Sequence, residues 1–304
     1  MEDRLSREWD VIVVGGSYAG LSAAMALGRA LRRVLIIDNG QPCNRHTPHS
    51  HNFLTQDGET PAVIASKARA QVLQYPTVQL ASGWVNSGRR LDDQWEILTS
   101  DGNSYRAKKL IVATGIKDKM PAIPGFEECW GKSVIHCPYC HGYEVRHQAT
   151  GIVANGDAAY HYARLISNWT SKLTIFTNGT STLSEEQRTS VAAHGIQITE
   201  ARIARLNHRE GMLESISLED NSKVALKAIY ARPEFVQQGE LLHTLGCELN
   251  EQGYVKVDAF QKTTVPHVLA CGDNSSMMRS VANAVATGNM AGAVANHELI
   301  EASF

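Results

Sequence analysis

The sequence has few prolines and cysteines, no long apolar run and no excess of charge of either sign. Its 304 residues include nine prolines and six cysteines, and 29 Lys and Arg nearly balance 31 Asp and Glu, for a net charge of −2. This balance provides no basic surface for nucleic acid and no Lys/Arg-rich stretch for a membrane surface. Because no apolar run reaches the roughly 20 residues of a membrane span, we expect neither nucleic acid nor a membrane as a partner.

The N-terminal residues 1–10 are charged and lead directly into the apolar residues 11–14. A secretory signal would have a longer apolar region after its charged start. The sequence therefore predicts a cytoplasmic protein.

Six cysteines in a chain of this length do not form a disulfide framework in a reducing compartment. Cys43, Cys129, Cys247 and Cys271 are solitary, and we expect them to be small buried hydrophobic residues. The remaining two, 137 and 140, form a close pair.

Apolar runs typical of buried strands alternate with helical patterns, and no repeat or low-complexity tract interrupts them. The predicted strands cover residues 9–14, 34–38 and 109–115, a helix covers 21–30, a second unit begins at 152–156, and a strand ends within 268–273. This order predicts an α/β fold with two Rossmann-like nucleotide-binding units, one of them split along the chain.

The turn after the first predicted strand has a dinucleotide-binding pattern. It consists of Gly15, Gly16, Ser17, Tyr18, Ala19 and Gly20, and it departs from G-x-G-x-x-G only in the small Ser17. Gly15 allows the tight turn, Ser17 lets backbone approach a pyrophosphate, and Gly20 lets the helix pack closely with its N-terminus toward the phosphates. Asp38 follows Gly20 by 18 residues, where a carboxylate can bind an adenosine ribose and repel a 2′-phosphate. The pattern predicts a site for FAD or NAD.

Cys137 and Cys140 have three interpretations: half of a zinc site, a redox-active dithiol, or two core cysteines. The sequence has no second C-x-x-C pair, although His136 and His141 flank this one and a nearby loop, residues 44–53, carries His46, His49 and His51. We therefore predict no metal. Pro138 stiffens the turn, and adjacent imidazoles can stabilise a thiolate or carry its proton, which favours the redox dithiol.

The order of these motifs resembles the low-molecular-weight thioredoxin reductase family of two-domain FAD enzymes, from end to end. The resemblance implies FAD on the glycine turn, on Asp38, Asn39 and Asn52, on the strand end Ala113, Thr114 and Gly115, and on Gly272 and Asp273. It also implies that Cys140 faces the flavin, that Cys137 exchanges with the partner disulfide, and that the protein is a homodimer. His141 stands where the family commonly has an acidic Asp, so we expect an imidazole to transfer the proton, with His136 as the second candidate.

The family's site for NADPH is not intact in this sequence. Residues 154–159 lack the leading glycine of G-x-G-x-x-A, and no Arg or His follows the strand within residues 173–179 to bind a 2′-phosphate. The motifs of the FAD turn, residues 15–20, and of the dithiol segment, residues 137–144, resemble those of the dithiol oxidases that form disulfides in gliotoxin, holomycin and romidepsin. That resemblance implies that a substrate dithiol reduces the Cys137/Cys140 disulfide and that O2 reoxidises the flavin.

Two alternatives remain open: an NAD(P)H-dependent disulfide reductase, and a non-catalytic flavoprotein that senses redox state. We expect the substrate to be a small dithiol or a thioredoxin-like protein. We expect a discontinuous FAD domain, residues 1–117 and 235–304, with an inserted domain, residues 118–234, that carries the dithiol. Residues 279–288 are expected to form a closely packed helix.

Overall fold

The computed structural model describes residues 8–304, and the charged residues that precede them lie outside that range. The first part of the chain contains β1 (Glu8–Val14), α1 (Tyr18–Arg29), β2 (Val34–Asp38), α2 (Pro61–Val72), β3 (Val78–Ser82), β4 (Val85–Leu91), β5 (Gln94–Thr99), β6 (Ser104–Val112) and β7 (Ile116–Asp118). The middle contains α3 (Phe126–Cys129), β8 (Val134–Ile135), α4 (Pro138–His141), β9 (Thr150–Val153), α5 (Gly156–Ile166), β10 (Leu173–Phe176), α6 (Glu185–Ala193), β11 (Gln197–Thr199), β12 (Ile203–Arg209), β13 (Met212–Leu218), β14 (Lys223–Ala225) and β15 (Ala228–Ala231). The last part contains β16 (Phe235–Gln237), α7 (Leu241–Leu245), β17 (Val268–Ala270) and α8 (Val281–Glu301).

The first sheet has a parallel core in the order β3, β2, β1, β6, and β17 joins β6 in parallel. β5 and β4 extend it as an antiparallel hairpin. Residues 11–14 of β1 and 34–37 of β2 are continuous apolar runs because both faces of the parallel core are covered. Helices α1 and α8 pack on one face, where a Cβ on Gly288 would lie 2.1 Å from the Ala19 carbonyl oxygen. The predicted close-packed helix is therefore confirmed.

The second sheet is parallel throughout, in the order β11, β10, β9, β15, β8. α5 packs against one face, and the antiparallel sheet of β12, β13 and β14 contributes to the core on the other. Two parallel α/β units in one chain confirm the predicted fold class. None of the helices within residues 8–304 has the length and apolarity needed to cross a bilayer.

The chain passes between the two parallel sheets at a short antiparallel ribbon. β7 leads into the second sheet and β16 leads back, and Phe235 pairs with Asp118 there. We propose that the domain boundaries fall at this ribbon, which includes residues 117 and 235.

Candidate redox-active site

A cavity lies between the carboxyl ends of the first sheet's parallel strands and the segment that carries the two cysteines. Of the predicted cofactor-binding residues, it is lined by Gly15, Gly16, Ser17, Tyr18, Ala19, Asp38, Asn39, Ala113, Thr114, Gly115, Gly272 and Asp273. The predicted catalytic residues His136, Cys137, Cys140 and His141 line it as well. Residues far apart in sequence thus face one space, at the strand ends where open α/β sheets bind ligands.

The glycine turn is held closely against the neighbouring strand end. Gly15 has a φ of +106°, and a Cβ there would lie 2.3 Å from the carbonyl oxygen of Ala113. The Gly16 N–H donates to Asp38 Oδ1 over 2.9 Å, which fixes the carboxylate at the turn. Ser17 begins α1 without a side-chain cap, so the helix presents free N–H groups and its positive dipole end at the cavity. The arrangement suits an anionic group such as a pyrophosphate.

Two residues predicted to contact the cofactor do not line the cavity. Gly20 lies behind the turn, where a Cβ would lie 1.8 Å from the Gly15 carbonyl oxygen, so its role is the close helix packing that the pattern predicted. Asn52 has a left-handed backbone with φ +59° and donates its N–H to Asp57 Oδ1 over 2.7 Å. Its backbone N–H is thus used within the loop, and Asn52 is not among the residues that line the cavity.

Cys137 and Cys140 are both free thiols at the start of α4. Cys137 caps the helix, Pro138 follows it, and the Cys140 N–H donates to the Cys137 carbonyl over 3.3 Å. A hydrogen bond from the Cys140 thiol, supported by backbone N–H groups and by Arg279, lowers the pKa of Cys137 to about 7. The Cys140 thiol donates that hydrogen bond and is also largely buried. Both effects raise its pKa. Cys137 is therefore the thiolate of the reduced pair near neutral pH, and the thiolate is the nucleophile.

The two flanking histidines differ in their capacity to accept a proton. Burial, followed by the charge of Arg279, lowers the pKa of His136 to about 4. Burial and His51 also lower the pKa of His141, whereas Glu144 raises it. His136 is thus a very weak base, and we propose His141 as the first candidate for the proton transfer.

A buried ion pair that spacing alone did not predict forms part of the cavity wall. Arg279, just before α8, donates from Nη1 and Nη2 to the two carboxylate oxygens of Asp118, each over 2.8 Å. Its Nε lies 4.0 Å from Asp273 Oδ2, and burial raises the pKa of Asp273 to about 6. Arg279 and Asp118 are 161 residues apart, so sequence spacing could not predict that they pair. The one signal in the sequence was the position of Arg279, immediately before the helix that follows Gly272-Asp273.

Cys43 departs from the expectation for the solitary cysteines. Cys129, Cys247 and Cys271 are buried, as predicted, but Cys43 is only partly buried and lines the cavity. Its thiol donates to the Ile116 carbonyl over 3.0 Å, and burial raises its pKa to about 11. It is therefore a neutral thiol that forms part of the wall.

The histidine-rich loop borders the same cavity. His46 and His51 line it, whereas His49 turns away and its Nδ1 lies 2.9 Å from the Gly58 carbonyl oxygen. No group of three or more His, Cys, Asp or Glu side chains within residues 8–304 is arranged to hold a metal ion.

The equivalent turn of the second unit is closed by its own side chains. Asn155 Oδ1 accepts hydrogen bonds from the N–H groups of Gly156 and Thr182, each over 2.8 Å, and its Nδ2 donates to the Thr180 carbonyl over 2.9 Å. A Cβ on Gly156 would lie 2.8 Å from Thr182 Oγ1. The segment 180–182 is thereby tied across the start of α5, where a nucleotide pyrophosphate would bind in an open site.

The comparisons with known proteins agree with this architecture. The pyridine nucleotide-disulphide oxidoreductase family model matches residues 9–288. Thioredoxin reductase tcpT of Claviceps purpurea is 33% identical over 302 residues, which cover 96% of this chain and 94% of that protein. An oxidoreductase from Agrobacterium tumefaciens superposes with a TM-score of 0.91 at 36% identity, covering 97% of this chain and 99% of that one. A putative thioredoxin reductase, TrxB, from Bacillus anthracis gives 0.92 at 30% identity, covering 97% and 100%.

These matches extend over both units, the glycine turn and the dithiol segment, and they confirm the resemblance that the motif order indicated. The chain belongs to the pyridine nucleotide-disulphide oxidoreductase family and is a thioredoxin reductase-like enzyme.

Proposed function

We propose that the enzyme is an FAD-dependent dithiol oxidase that converts a substrate dithiol to a disulfide through Cys137 and Cys140, with O2 as the final acceptor. The observation that carries the proposal is the closed turn at Asn155. Electrons have to enter a disulfide oxidoreductase from a nicotinamide or from a thiol. With the second nucleotide turn bridged by Asn155, the dithiol is the favoured entry point.

The residues around the cavity fit FAD. The free N–H groups at the start of α1 suit its pyrophosphate, and Asp38 suits the adenosine ribose. The Thr114 hydroxyl is buried in the cavity wall without a hydrogen-bond partner, so it is available to a bound group. When bound, FAD supplies the acceptor for the two electrons of the dithiol and their transfer to O2, which yields peroxide.

Hydrogen bonds of the Asn155 side chain, as well as the sequence of residues 154–159, weigh against a nucleotide at the second turn. The Asn155 side chain already accepts from two backbone N–H groups and donates to a carbonyl. The Gly156 N–H can reach a pyrophosphate only if its bond to Asn155 breaks, and a lost bond costs about 1 kcal/mol. The strand end after β10 also has no Arg or His for a 2′-phosphate.

The thiol chemistry follows from the difference between the two cysteines. One substrate thiolate attacks Cys137 Sγ of the oxidised pair, and Cys140 leaves as a thiolate. The second substrate thiolate attacks its partner sulfur in the mixed disulfide and releases Cys137, so that the substrate leaves as a disulfide. Two protons move from substrate to enzyme sulfur, and His141 is the base beside the pair that accepts and returns them.

The experiment that tests this proposal mixes the yellow protein anaerobically with NADPH, NADH or dithiothreitol and follows the flavin absorbance by stopped flow. We expect dithiothreitol to bleach the flavin fully and either nicotinamide to bleach it at least about 100-fold more slowly. Air should restore the colour and release one peroxide per flavin. Rapid bleaching by a nicotinamide would instead establish the reductase alternative, and no bleaching by any of the three would favour a redox sensor.

A second prediction concerns which sulfur reacts. In dithiothreitol-reduced protein the alkylation of Cys137 by iodoacetamide should rise with pH through a midpoint near 7, because its pKa is about 7. The raised pKa of Cys140 keeps that thiol protonated and unreactive over the same range. Peptide mass spectrometry after brief labelling from pH 5 to 9 measures both sites, and preferential labelling of Cys140 would contradict the assignment.

A further inference from the structure

A chain of ionisable side chains connects the cavity with the surface. The His141 ring, in the cavity wall, lies edge-on to the His51 ring with 6.1 Å between the centroids. His51 Nε2 lies 3.6 Å from Glu144 Oε1, and its Nδ1 lies 3.7 Å from Asp57 Oδ1. The side chain of His51 is 21% exposed, whereas those of Glu144 and Asp57 are 41% and 69% exposed. The series thus runs from a partly buried imidazole to two solvated carboxylates.

We propose that His51 and Glu144 are positioning residues that carry protons between His141 and the solvent. The inference rests on the proposed function, because it supplies the proton path that thiol oxidation at this site needs. Neither residue touches the reacting sulfurs, so both act through His141.

The loop holds His51 in place. The Asn52 N–H donates to Asp57 Oδ1 over 2.7 Å, and reciprocal backbone bonds join Ser50 to Gly58 and Glu59 over 2.9 and 2.8 Å. Glu144 belongs to the opposite side, three residues after His141. The His51 ring is therefore placed between a carboxylate of its own loop and one of the dithiol segment. Contacts of 3.6 and 3.7 Å are ion-pair distances, and one bridging water suffices for proton transfer across them.

The reaction requires such a path. Oxidation of a dithiol by O2 to a disulfide and peroxide removes two thiol protons and returns both to the peroxide. When the Cys137/Cys140 disulfide re-forms, both protons have to leave the sulfurs before peroxide is made. His141 accepts one proton at a time, and its transfer to His51 frees the imidazole for the next.

His51 and Glu144 have opposite effects on the pKa of His141. The groups that face His51 are His49, with ring centroids 6.4 Å apart, Asp57, His141 and Glu144. His51, when protonated, repels a proton on His141, whereas Glu144 attracts one. Removal of His51 should therefore raise the pKa of His141, and removal of the Glu144 charge should lower it.

The test compares His51→Gln, Glu144→Gln and the same-loop control His49→Gln. Anaerobic flavin reduction by dithiothreitol is followed by stopped flow from pH 5 to 9. We expect both relay variants to slow reduction about tenfold, with the lower apparent pKa moving up for His51→Gln and down for Glu144→Gln. His49→Gln should match the wild type, and added imidazole should recover most of the rate in a His51→Gly variant. Unchanged rates, or shifts of the same sign in both variants, would overturn the proposal.

A readout that does not depend on turnover separates this inference from the proposed function. In protein labelled with 15N-histidine, an NMR titration of His141 should show the same opposite shifts in midpoint, irrespective of the electron donor. If wild-type flavin is bleached only by a nicotinamide, the oxidase proposal fails while the titration still tests the coupling. If dithiothreitol bleaches the wild type but the His141 midpoint stays fixed in both variants, the relay fails and the oxidase proposal stands.

Discussion

Replacement of Cys137 by serine is expected to reduce dithiol-driven flavin reduction by about three orders of magnitude or more, in protein that keeps its flavin. The removal of a nucleophile has effects of this size because no other group can form the covalent intermediate. Cys137 is the cysteine whose pKa is lowered, to about 7, and it caps α4 at the cavity. A serine hydroxyl in its place cannot exchange with a thiol. Anaerobic stopped-flow reduction by dithiothreitol measures the loss.

The Cys140→Ser variant should stop at a different step of the thiol exchange. Cys137 then remains as a nucleophile, so a small disulfide probe should form a mixed disulfide on it, and no thiol is present at position 140 to resolve it. We expect mass spectrometry to find the adduct on Cys137 in Cys140→Ser and no adduct in Cys137→Ser. Cys247→Ala, which removes a buried core cysteine remote from the cavity, should keep wild-type turnover. An adduct on Cys140 in the Cys137→Ser variant would reverse the two roles.

The helices and strands that could be predicted from the sequence are those that a local pattern of apolar residues and glycines determines. β2 covers residues 34–38, as predicted, because an apolar run buried on both faces has few alternatives. α1 begins at Tyr18, three residues before the predicted start, because the glycine turn itself forms the first helical turn. β6 ends at Val112, so Thr114 and Gly115 lie beyond the strand, at the cavity.

The contacts that define the site were much less predictable. Asp118 and Arg279 meet across 161 residues, and His51 meets Glu144 only because a loop of one unit reaches the dithiol segment of the other. Periodicity reports which face of an element is buried and contains no information on such pairings. Cys43 shows the same limit, since a lone cysteine has no spacing from which to predict that it faces a cavity.

Gly15→Ala is expected to yield protein that contains less than about a tenth of the wild-type flavin. The new Cβ would lie 2.3 Å from the Ala113 carbonyl oxygen, well inside contact distance, in a backbone with φ +106°. The turn has to move to relieve this overlap, and the N–H groups at the start of α1 move with it. A loss of about 3 kcal/mol in those contacts weakens binding roughly 100-fold. The absorbance ratio of flavin to protein after purification, and titration of the apoprotein with FAD, measure the effect.

The control separates the site from backbone strain alone. Gly102, in the turn between β5 and β6, has a similar left-handed φ of +82°, but a Cβ there would meet nothing within 4 Å. Gly102→Ala should therefore cost about 1 kcal/mol of stability for the strained φ and leave the flavin content unchanged. If Gly15→Ala binds FAD as tightly as Gly102→Ala, at equal thermal stability, the glycine turn does not hold the cofactor. Loss of flavin in Gly15→Ala alone, with the far-ultraviolet spectrum of a folded chain, assigns the cofactor to this turn, because the two variants share the strain and differ in the contact with Ala113.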